Sequence, residues 1–209
     1  MKLTRFLLPL FAAVALTACS DDAPSASEKY TTLEVPVTVE NLPAVTEVFS
    51  LSCGHCRSME SAIPTIEAAA GVNIGKAHVT FNESATFAAL IYYAAVTQTD
   101  GKPSEELVQA LFKYVQEGQT DDAEKNKAQL GKVFEDFGLT SPYDLNETQQ
   151  AELFSALEEA DQITTESGIV SVPTFLVNGK YIVNTSAHDS AEDLAATLKM
   201  LKNKDSQAN

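Results

Sequence analysis

A short apolar segment that runs directly into two closely spaced cysteines is the feature that most constrains how this chain can fold. Residues 44–51 (AVTEVFSL) are rich in β-branched and apolar side chains, which is typical of a buried strand. Cys53 and Cys56 follow in the sequence Cys-Gly-His-Cys, where a helix is predicted to begin. The two cysteines are therefore expected at the junction between a strand and a helix.

The segments after the cysteines indicate an α/β domain. Residues 54–70 are predicted to be helical, with a break or kink near Pro64 because proline lacks the backbone N–H donor. Residues 76–81 (KAHVTF) form a second predicted strand. Strand, helix and strand in succession predict a parallel crossover unit, which commonly opens an α/β sheet.

The middle of the chain is predicted to be helical from residue 83 to residue 160. Three helices are predicted over residues 84–96, 104–116 and 123–137, and a longer one begins near Asn146 and ends before Gly168. This block is predicted to be an insertion into the sheet domain.

Strand character returns near the C-terminus. Residues 174–177 and 180–183 flank Asn178-Gly179, a dipeptide typical of a tight hairpin turn. A last amphipathic helix follows, from Ser190 to about Lys202. We therefore predict one sheet domain formed by residues 30–82 and 161–204, with the helical segment 83–160 inserted between the two parts.

The N-terminus is predicted to be an export signal and not part of the fold. Lys2 and Arg5 precede an apolar run of eleven residues, 6–16, which is too short to cross a bilayer because a spanning helix needs roughly 20 residues. The run ends in Leu-Thr-Ala-Cys, which resembles the lipobox of bacterial lipoproteins, and this resemblance implies that Cys19 carries a lipid. Ordinary signal cleavage near a cysteine is the alternative.

Residues 1–18 are thus expected to be a signal peptide, 19–29 a flexible tether at a membrane surface, and 205–209 a disordered tail. Without the signal the chain carries 12 basic against 29 acidic residues, a net charge of −17. This charge argues against nucleic acid or anionic lipid as a partner. Solubility alone also accounts for it.

The cysteine count limits what the Cys-Gly-His-Cys pair can be. With Cys19 assigned to the signal, Cys53 and Cys56 remain, whereas a small secreted scaffold held by disulfides would carry four or more. A structural disulfide over so short a loop would remove little entropy from the unfolded chain. A zinc site would need further ligands from scattered histidines, and a pair of buried, unreactive thiols is a third alternative.

Thiol chemistry is the hypothesis that the residues favour. A helix N-terminus exposes unpaired N–H groups that stabilise a thiolate at Cys53, and Cys56 lies on the same helical face within disulfide reach. A stabilised thiolate is a good leaving group, so the oxidised pair would act as an oxidant. His55 and Arg57 would add hydrogen bonding or positive charge nearby.

Glu47 is predicted to be a buried carboxylate. Alternate residues of a strand share a face, and the neighbours of Glu47 on its face are Val45, Phe49 and Leu51. Burial raises the pKa of a carboxyl group into a range where it can exchange protons with thiols. The alternative is an exposed residue on an edge strand.

In order and spacing, these features resemble the thioredoxin superfamily and, within it, the DsbA family of periplasmic oxidases. The resemblance extends from Tyr30 to about Lys202. It depends on an opening strand at residues 30–34, on Glu47, on Cys53-x-x-Cys56 followed by Glu60, on Lys76 and His78, and on the hairpin sequence FLVNGKY at residues 175–181. It implies an α/β, thioredoxin-like fold, in which a central mixed sheet with flanking helices is interrupted by an all-helical insertion domain.

The resemblance also implies roles for individual residues. Cys53 would be the exposed nucleophile that forms mixed disulfides with substrates, and Cys56 would be the buried resolving thiol. Val172-Pro173 would be a cis-proline loop that faces the disulfide and pairs with an extended substrate chain.

Glu47, together with Glu60 and Lys76, would tune proton transfer. The resemblance implies no cofactor. Reduced or misoxidised exported polypeptides would be the substrates of a periplasmic monomer in a Gram-negative bacterium, and a DsbB-like membrane quinone oxidoreductase would reoxidise the cysteine pair.

Three departures from the family pattern change these expectations. Gly54-His55 replaces the Pro-His of these oxidases and is typical of protein disulfide isomerases, which predicts a milder oxidant. Leu51-Ser52 replaces bulkier aromatic residues, and a lipid anchor is not the rule in the family. The alternatives are a disulfide isomerase or reductase of the same fold, or a thioredoxin-fold binding module whose cysteines do not turn over.

Overall fold

The structure, a computed structural model, describes residues 29–204. The predicted signal peptide, the predicted lipid-attachment residue Cys19 and the predicted C-terminal tail lie outside these residues. Of the predicted tether, Lys29 is described, and its ammonium group forms an ion pair with Asp193 at 2.6 Å. None of the helices within the described range has both the length and the apolar character needed to cross a bilayer.

Five strands form one mixed sheet in the order β1-β5-β4-β2-β3. The strands are β1 (Tyr30–Thr32), β2 (Val45–Phe49), β3 (Gly75–His78), β4 (Thr174–Val177) and β5 (Tyr181–Val183). β2 and β3 are parallel, as the crossover prediction requires, and the other three neighbouring pairs are antiparallel. The sheet is therefore built from strands on both sides of the helical segment.

Seven α-helices within the described residues accompany this sheet. They are α1 (Gly54–Met59), α2 (Ile63–Ala70), α3 (Glu83–Val96), α4 (Glu105–Lys113), α5 (Ala123–Asp136), α6 (Glu147–Ser167) and α7 (Ala191–Lys204). A π-helix, Tyr114–Gly118, continues α4, and a short 3₁₀ helix, Thr185–Ala187, precedes α7. The predicted α/β fold with a helical segment between β3 and β4 is confirmed.

Local sequence signals set several of these boundaries. Pro64 lies in the first turn of α2, where no N–H donor is needed, so the helical region breaks before it. Asn146 and Gln149 form the predicted capping box of α6, which continues through residue 160 and ends at the left-handed Gly168. Asn178 and Gly179 both adopt the positive φ angles that the hairpin turn requires.

The two strands that flank the cysteines are shorter than predicted. β2 ends at Phe49 because Val48 already pairs with Thr174, the first residue of β4, so the residues beyond Phe49 lose their partner on that side. β3 ends at His78, and the chain from Val79 to Phe81 leaves the sheet. The released residues form the loops around the cysteines.

Two large apolar clusters meet β2 at Phe49 and Val45, which lie on the same face of the strand by alternation. Phe49, Leu51 and Cys56 pack with side chains from α3 to α6, whereas Val45 and Phe175 pack with α2 and α7. The strand that leads to the cysteines therefore contributes to both clusters. This position fixes the start of α1 at the boundary between the sheet and the helical segment.

Candidate active site

The two cysteines differ in exposure and share one hydrogen bond. Cys53 is the N-cap of α1 and is partly exposed, whereas Cys56 is fully buried. The backbone N–H of Cys56 donates to Cys53 Sγ at 3.1 Å, and both thiols are free. The helix N-terminus thus contacts the sulfur of Cys53, as the sequence predicted. Cys53 is the outer thiol of the pair and Cys56 is the inner one.

The segment predicted to face the cysteines does so. The thiol of Cys53 donates to the carbonyl oxygen of Val172 at 3.5 Å, and the Val172–Pro173 peptide bond is cis. Cys53 and Val172 open together on a surface groove of about 310 Å³, here called the cysteine groove, which Ser52 and Phe81 also line. A polypeptide that lies in this groove has access to the sulfur of Cys53.

Burial makes Cys56 a poor acid. Desolvation is the main cause that raises the pKa of the Cys56 thiol well above its usual range, and the hydrogen bond with Cys53 raises it further. The negative charge of Glu47 acts in the same direction. Cys56 is therefore a protonated thiol at neutral pH, and a thiolate formed there takes up a proton readily.

Glu47, Glu60 and Lys76 form a buried charged cluster. Glu47 pairs with Lys76 in the register of β2 and β3, and the Lys76 ammonium contacts both Glu47 Oε2 and, at 2.6 Å, Glu60 Oε1. Both carboxylates are buried. Glu47 cannot be the exposed edge residue considered as an alternative, because β2 lies between β4 and β3.

The cluster holds a carboxyl group that titrates near neutral pH. Burial raises the pKa of Glu47 to about 7, against the opposing effect of the Lys76 charge. Within the described residues Glu47 Oε1 has no hydrogen-bond partner. Burial by itself lowers the pKa of Lys76, but the two carboxylates outweigh it and the net shift is upward, so Lys76 stays charged.

His78 fixes the loop in front of Cys53, a role that the sequence analysis missed. Its buried ring receives the backbone N–H of Leu51 at Nε2, 2.9 Å, and Nδ1 lies 2.8 Å from the carbonyl oxygen of Val79. These contacts require a neutral ring with the proton on Nδ1. Burial accordingly lowers the pKa of His78 to about 4. Alternation along β3 puts His78 on the same face as Lys76, and this is the signal by which its inward position could have been predicted.

The π-helix connects the helical segment to α1. Gln116 donates to the carbonyl oxygen of Leu51 at 2.9 Å, and Glu117 forms an ion pair with Arg57 at 2.5 Å. Arg57 therefore does not contribute an unbalanced positive charge beside Cys53, as its position in sequence had suggested. His55 is exposed at the surface of α1.

The arrangement is suited to thiol–disulfide exchange. An accessible sulfur at a helix N-cap, a buried partner thiol three residues later and a carboxyl group that titrates near neutral pH are the groups this chemistry requires. Among residues 29–204, no three histidine, cysteine or carboxylate side chains are grouped as metal ligands. Cys53 is partly exposed, whereas the alternative of two unreactive thiols requires both cysteines to be buried.

Comparison with known proteins identifies the family. The thioredoxin family profile matches residues 40–200 of this chain. The thiol:disulfide interchange protein DsbA of Escherichia coli K12 is 27% identical over 188 residues, which cover 85% of this chain and 88% of the relative.

Solved structures of DsbA proteins share the fold. DsbA from Xylella fastidiosa superimposes with a TM-score of 0.68 at 21% identity and covers 89% of this chain and all of its own length. A complex of Proteus mirabilis DsbA with a non-covalently bound peptide has a TM-score of 0.60 at 20% identity, over 84% of this chain and 94% of that one. The chain therefore belongs to the thioredoxin family and is a DsbA-like protein thiol:disulfide oxidoreductase.

Proposed function

We propose that this protein is an oxidase that donates its Cys53–Cys56 disulfide to exported polypeptides in the periplasm. The observation that carries the proposal is the asymmetry of the pair, in which an accessible Cys53 stands over a fully buried Cys56. A substrate can reach one sulfur and not the other. Cys53 is therefore the sulfur proposed to form the mixed disulfide with the substrate, and Cys56 is the sulfur proposed to leave when that bond forms.

The reaction proceeds in two exchanges. A substrate thiolate attacks Cys53 Sγ of the oxidised pair, the Cys53–Cys56 bond breaks, and Cys56 leaves as a thiolate that takes up a proton. A second thiolate of the substrate then attacks the substrate sulfur of the mixed disulfide, and Cys53 leaves as a thiolate. The substrate loses two electrons and gains a disulfide, and the enzyme is left as a dithiol.

The surrounding groups support these steps. Glu47, with a pKa near 7, is the group proposed to supply the proton that the Cys56 thiolate takes up. Val172-Pro173 provides a backbone carbonyl beside Cys53 against which an extended substrate is proposed to pair. A DsbB-like membrane quinone oxidoreductase is the proposed acceptor of the two electrons. No cofactor bound to this chain takes part in the proposal.

Substitution of each cysteine tests the assignment. Cys53→Ser is expected to abolish oxidative refolding of a reduced, unfolded substrate, because the attacked sulfur is lost. Cys56→Ser is expected to accumulate a mixed disulfide when it is mixed with a disulfide-containing substrate, because the Cys53 thiolate displaces one substrate sulfur and the thiol that would release the other is absent. Non-reducing electrophoresis detects this species. Unchanged refolding by Cys53→Ser would instead indicate a binding module.

The direction of exchange is decided by the redox potential. Gly54-His55 is the one observation that favours the second candidate, an isomerase or reductase of the same fold. An oxidase is expected to have a potential well above that of thioredoxin, about −270 mV. Equilibration with glutathione buffers measures it, and a value near that of thioredoxin would contradict the oxidase.

The lipid anchor is proposed from Cys19 alone. Cys19→Ser is expected to abolish incorporation of labelled palmitate and to move the protein from the membrane fraction to the soluble periplasm. Processing of the variant to a lipid-free form of unchanged location would contradict the anchor.

A further inference from the structure

We propose that a second groove, which adjoins the cysteine groove across residues 79–86, selects substrate segments that carry both apolar and positively charged residues. The inference rests on the disulfide-exchange function proposed above and adds to it the class of substrate. The second groove, here called the α6 groove, has a volume of about 630 Å³ and is formed by one face of α6 together with Thr80 and Thr86.

The two grooves share a wall. Val79, Phe81 and Ala85 line the cysteine groove, and their neighbours in sequence, Thr80 and Thr86, line the α6 groove. The wall is held to α6 by a hydrogen bond from Thr80 Oγ1 to Asp161 Oδ1 at 2.7 Å. A substrate chain whose cysteine meets Cys53 would cross this segment to reach the α6 groove.

Exposed aromatic rings stand along this path. Phe81 is 41% exposed in the cysteine groove, and Phe154 is 55% exposed in the α6 groove, next to the half-buried Leu157. Large aromatic rings exposed to water in neighbouring grooves are typical of a site that a partner covers. They account for the apolar part of the proposed preference.

The charge of the surface accounts for the cationic part. α6 carries six Asp or Glu residues and no Lys or Arg, and the sequence contains no Lys or Arg between Lys132 and Lys180. Glu158, Asp161 and Glu166 line the groove. Hydrogen bonds from Thr38 and Gln162 keep the pKa of Glu166 below its usual range, so this carboxylate stays charged. The groove therefore attracts cations and repels a second copy of this acidic chain or an anionic lipid surface.

Two matched peptides test the preference. Each has the same length, two cysteines and the same apolar residues, and they differ only in two lysines or two glutamates outside the cysteine pair. The oxidised enzyme is expected to oxidise the lysine peptide with a several-fold higher kcat/KM at low ionic strength. The ratio is expected to fall as salt is raised, because screening weakens interactions between exposed charges.

Substitutions locate the effect in the α6 groove. Glu158→Gln is expected to reduce the ratio of the two kcat/KM values by roughly two- to fivefold, the size expected for exposed ion pairs. Phe154→Ser is expected to lower kcat/KM for both peptides and to leave their ratio unchanged. The matched control is Glu152→Gln, which removes an exposed acid of the same helix outside the groove and should leave the ratio unchanged.

Exchange of the wild-type disulfide with dithiothreitol separates this proposal from the function on which it rests, since a small dithiol needs Cys53 and no groove. If dithiothreitol reduces the pair but both peptides are oxidised equally at low salt, the groove proposal is overturned and the exchange function stands. An equal effect of Glu152→Gln and Glu158→Gln would also overturn it. If dithiothreitol does not react, both fail.

Discussion

Gly54 occupies the first position of α1, and a Cβ added there would meet no atom within 4 Å. Proline is favoured at the first position of a helix because its missing N–H has no intrahelical partner. The Pro-His dipeptide of the DsbA-like oxidases therefore fits this backbone. The difference between Gly-His and Pro-His is accordingly expected to lie in the redox potential and not in the fold.

Gly54→Pro is expected to raise the redox potential by tens of millivolts, toward the more oxidising end of the range spanned by disulfide isomerase and DsbA. Equilibration with glutathione buffers measures the shift, and unfolding of the reduced variant checks that the fold is retained. If the redox potential falls or does not change, Gly54 is not the reason for a milder oxidant.

At this scale the sequence predicted the residues that lie on regular elements. Cys53, Cys56 and Glu47 follow from strand alternation and from the strand–helix junction. The partners of Arg57 did not follow, because Glu117 lies sixty residues later and only the packing of the helical segment brings it to α1. The contact of His78 with Leu51 was also missed, because it depends on the register in which β2 pairs with β3.

At the scale of elements, the parallel pair of strands β2 and β3 carries two buried groups with opposite pH dependence. The folded state holds the proton of Glu47 up to a pKa of about 7, above its usual value of 4.5, so this group lowers stability as pH rises from 4.5 to 7. The pKa of His78 falls from 6.5 to about 4, so this group lowers stability as pH falls from 6.5 to 4. Between pH 4.5 and 6.5 the two effects oppose each other.

Glu47→Gln is expected to remove one side of this balance. The free energy of unfolding of the variant should rise with pH by up to about 1.4 kcal/mol per unit between pH 4.5 and 6.5, because only the His78 effect remains. Urea denaturation of the reduced protein at several pH values measures it. Lys76, whose pKa is shifted upward from 10.5, does not titrate in this range.

The reciprocal variant provides the control. His78→Gln keeps an acceptor for the Leu51 N–H but does not titrate, so stability should fall with pH between 4.5 and 7 as the Glu47 effect is uncovered. If both variants show the pH dependence of the wild type, the two groups do not have the opposed pKa shifts described here.

The π-helix is the element that the sequence could not show. The wider turn of a π-helix is not visible in the periodicity of apolar residues. The sequence therefore predicted one regular helix over residues 104–116, whereas α4 ends at Lys113 and the π-helix follows it. The π-helix presents Gln116 and Glu117 to the loop and helix of the cysteines. Through these two residues the π-helix adds polar contacts to the apolar packing of the helical segment against Leu51 and Cys56.

Glu117→Gln is expected to raise the redox potential slightly. Without its partner, the charge of Arg57 stabilises a thiolate at Cys53 and with it the reduced state. Arg57→Gln should shift the potential in the opposite direction, and Glu124→Gln, an exposed acid of α5, is a control that should leave it unchanged. Shifts of equal sign in the two Arg57–Glu117 variants would exclude this electrostatic account.

At the scale of the whole molecule, β4 is the element on which the sheet depends. It lies between β5 and β2, yet about 95 residues of chain separate it from β3, the last strand before the helical segment. Local patterns predicted four of the five strands, the opening strand came from the family resemblance, and the order of the strands in the sheet was not predicted. Pairing between distant segments is decided by burial over the entire chain.

A chain that ends at residue 160 is expected to lack the folded sheet, because β2 loses its antiparallel partner and Phe175 and Val177 are absent from the core. Near-ultraviolet circular dichroism and resistance to proteolysis measure this, with the chain ending at residue 204 as the control. A cooperative unfolding transition in the shorter chain would contradict it.

The contact between Cys53 and the carbonyl of Val172 joins positions 119 residues apart. A ribosome that adds roughly 5–20 residues per second therefore needs on the order of 10 s to reach Val172 after it has added Cys53. Through that interval the two thiols belong to an unfinished chain and can exchange with any disulfide that reaches them. Until Val172 is added, each new copy is itself an unfolded polypeptide with free thiols. It therefore belongs to the class of substrate on which the folded enzyme is proposed to act.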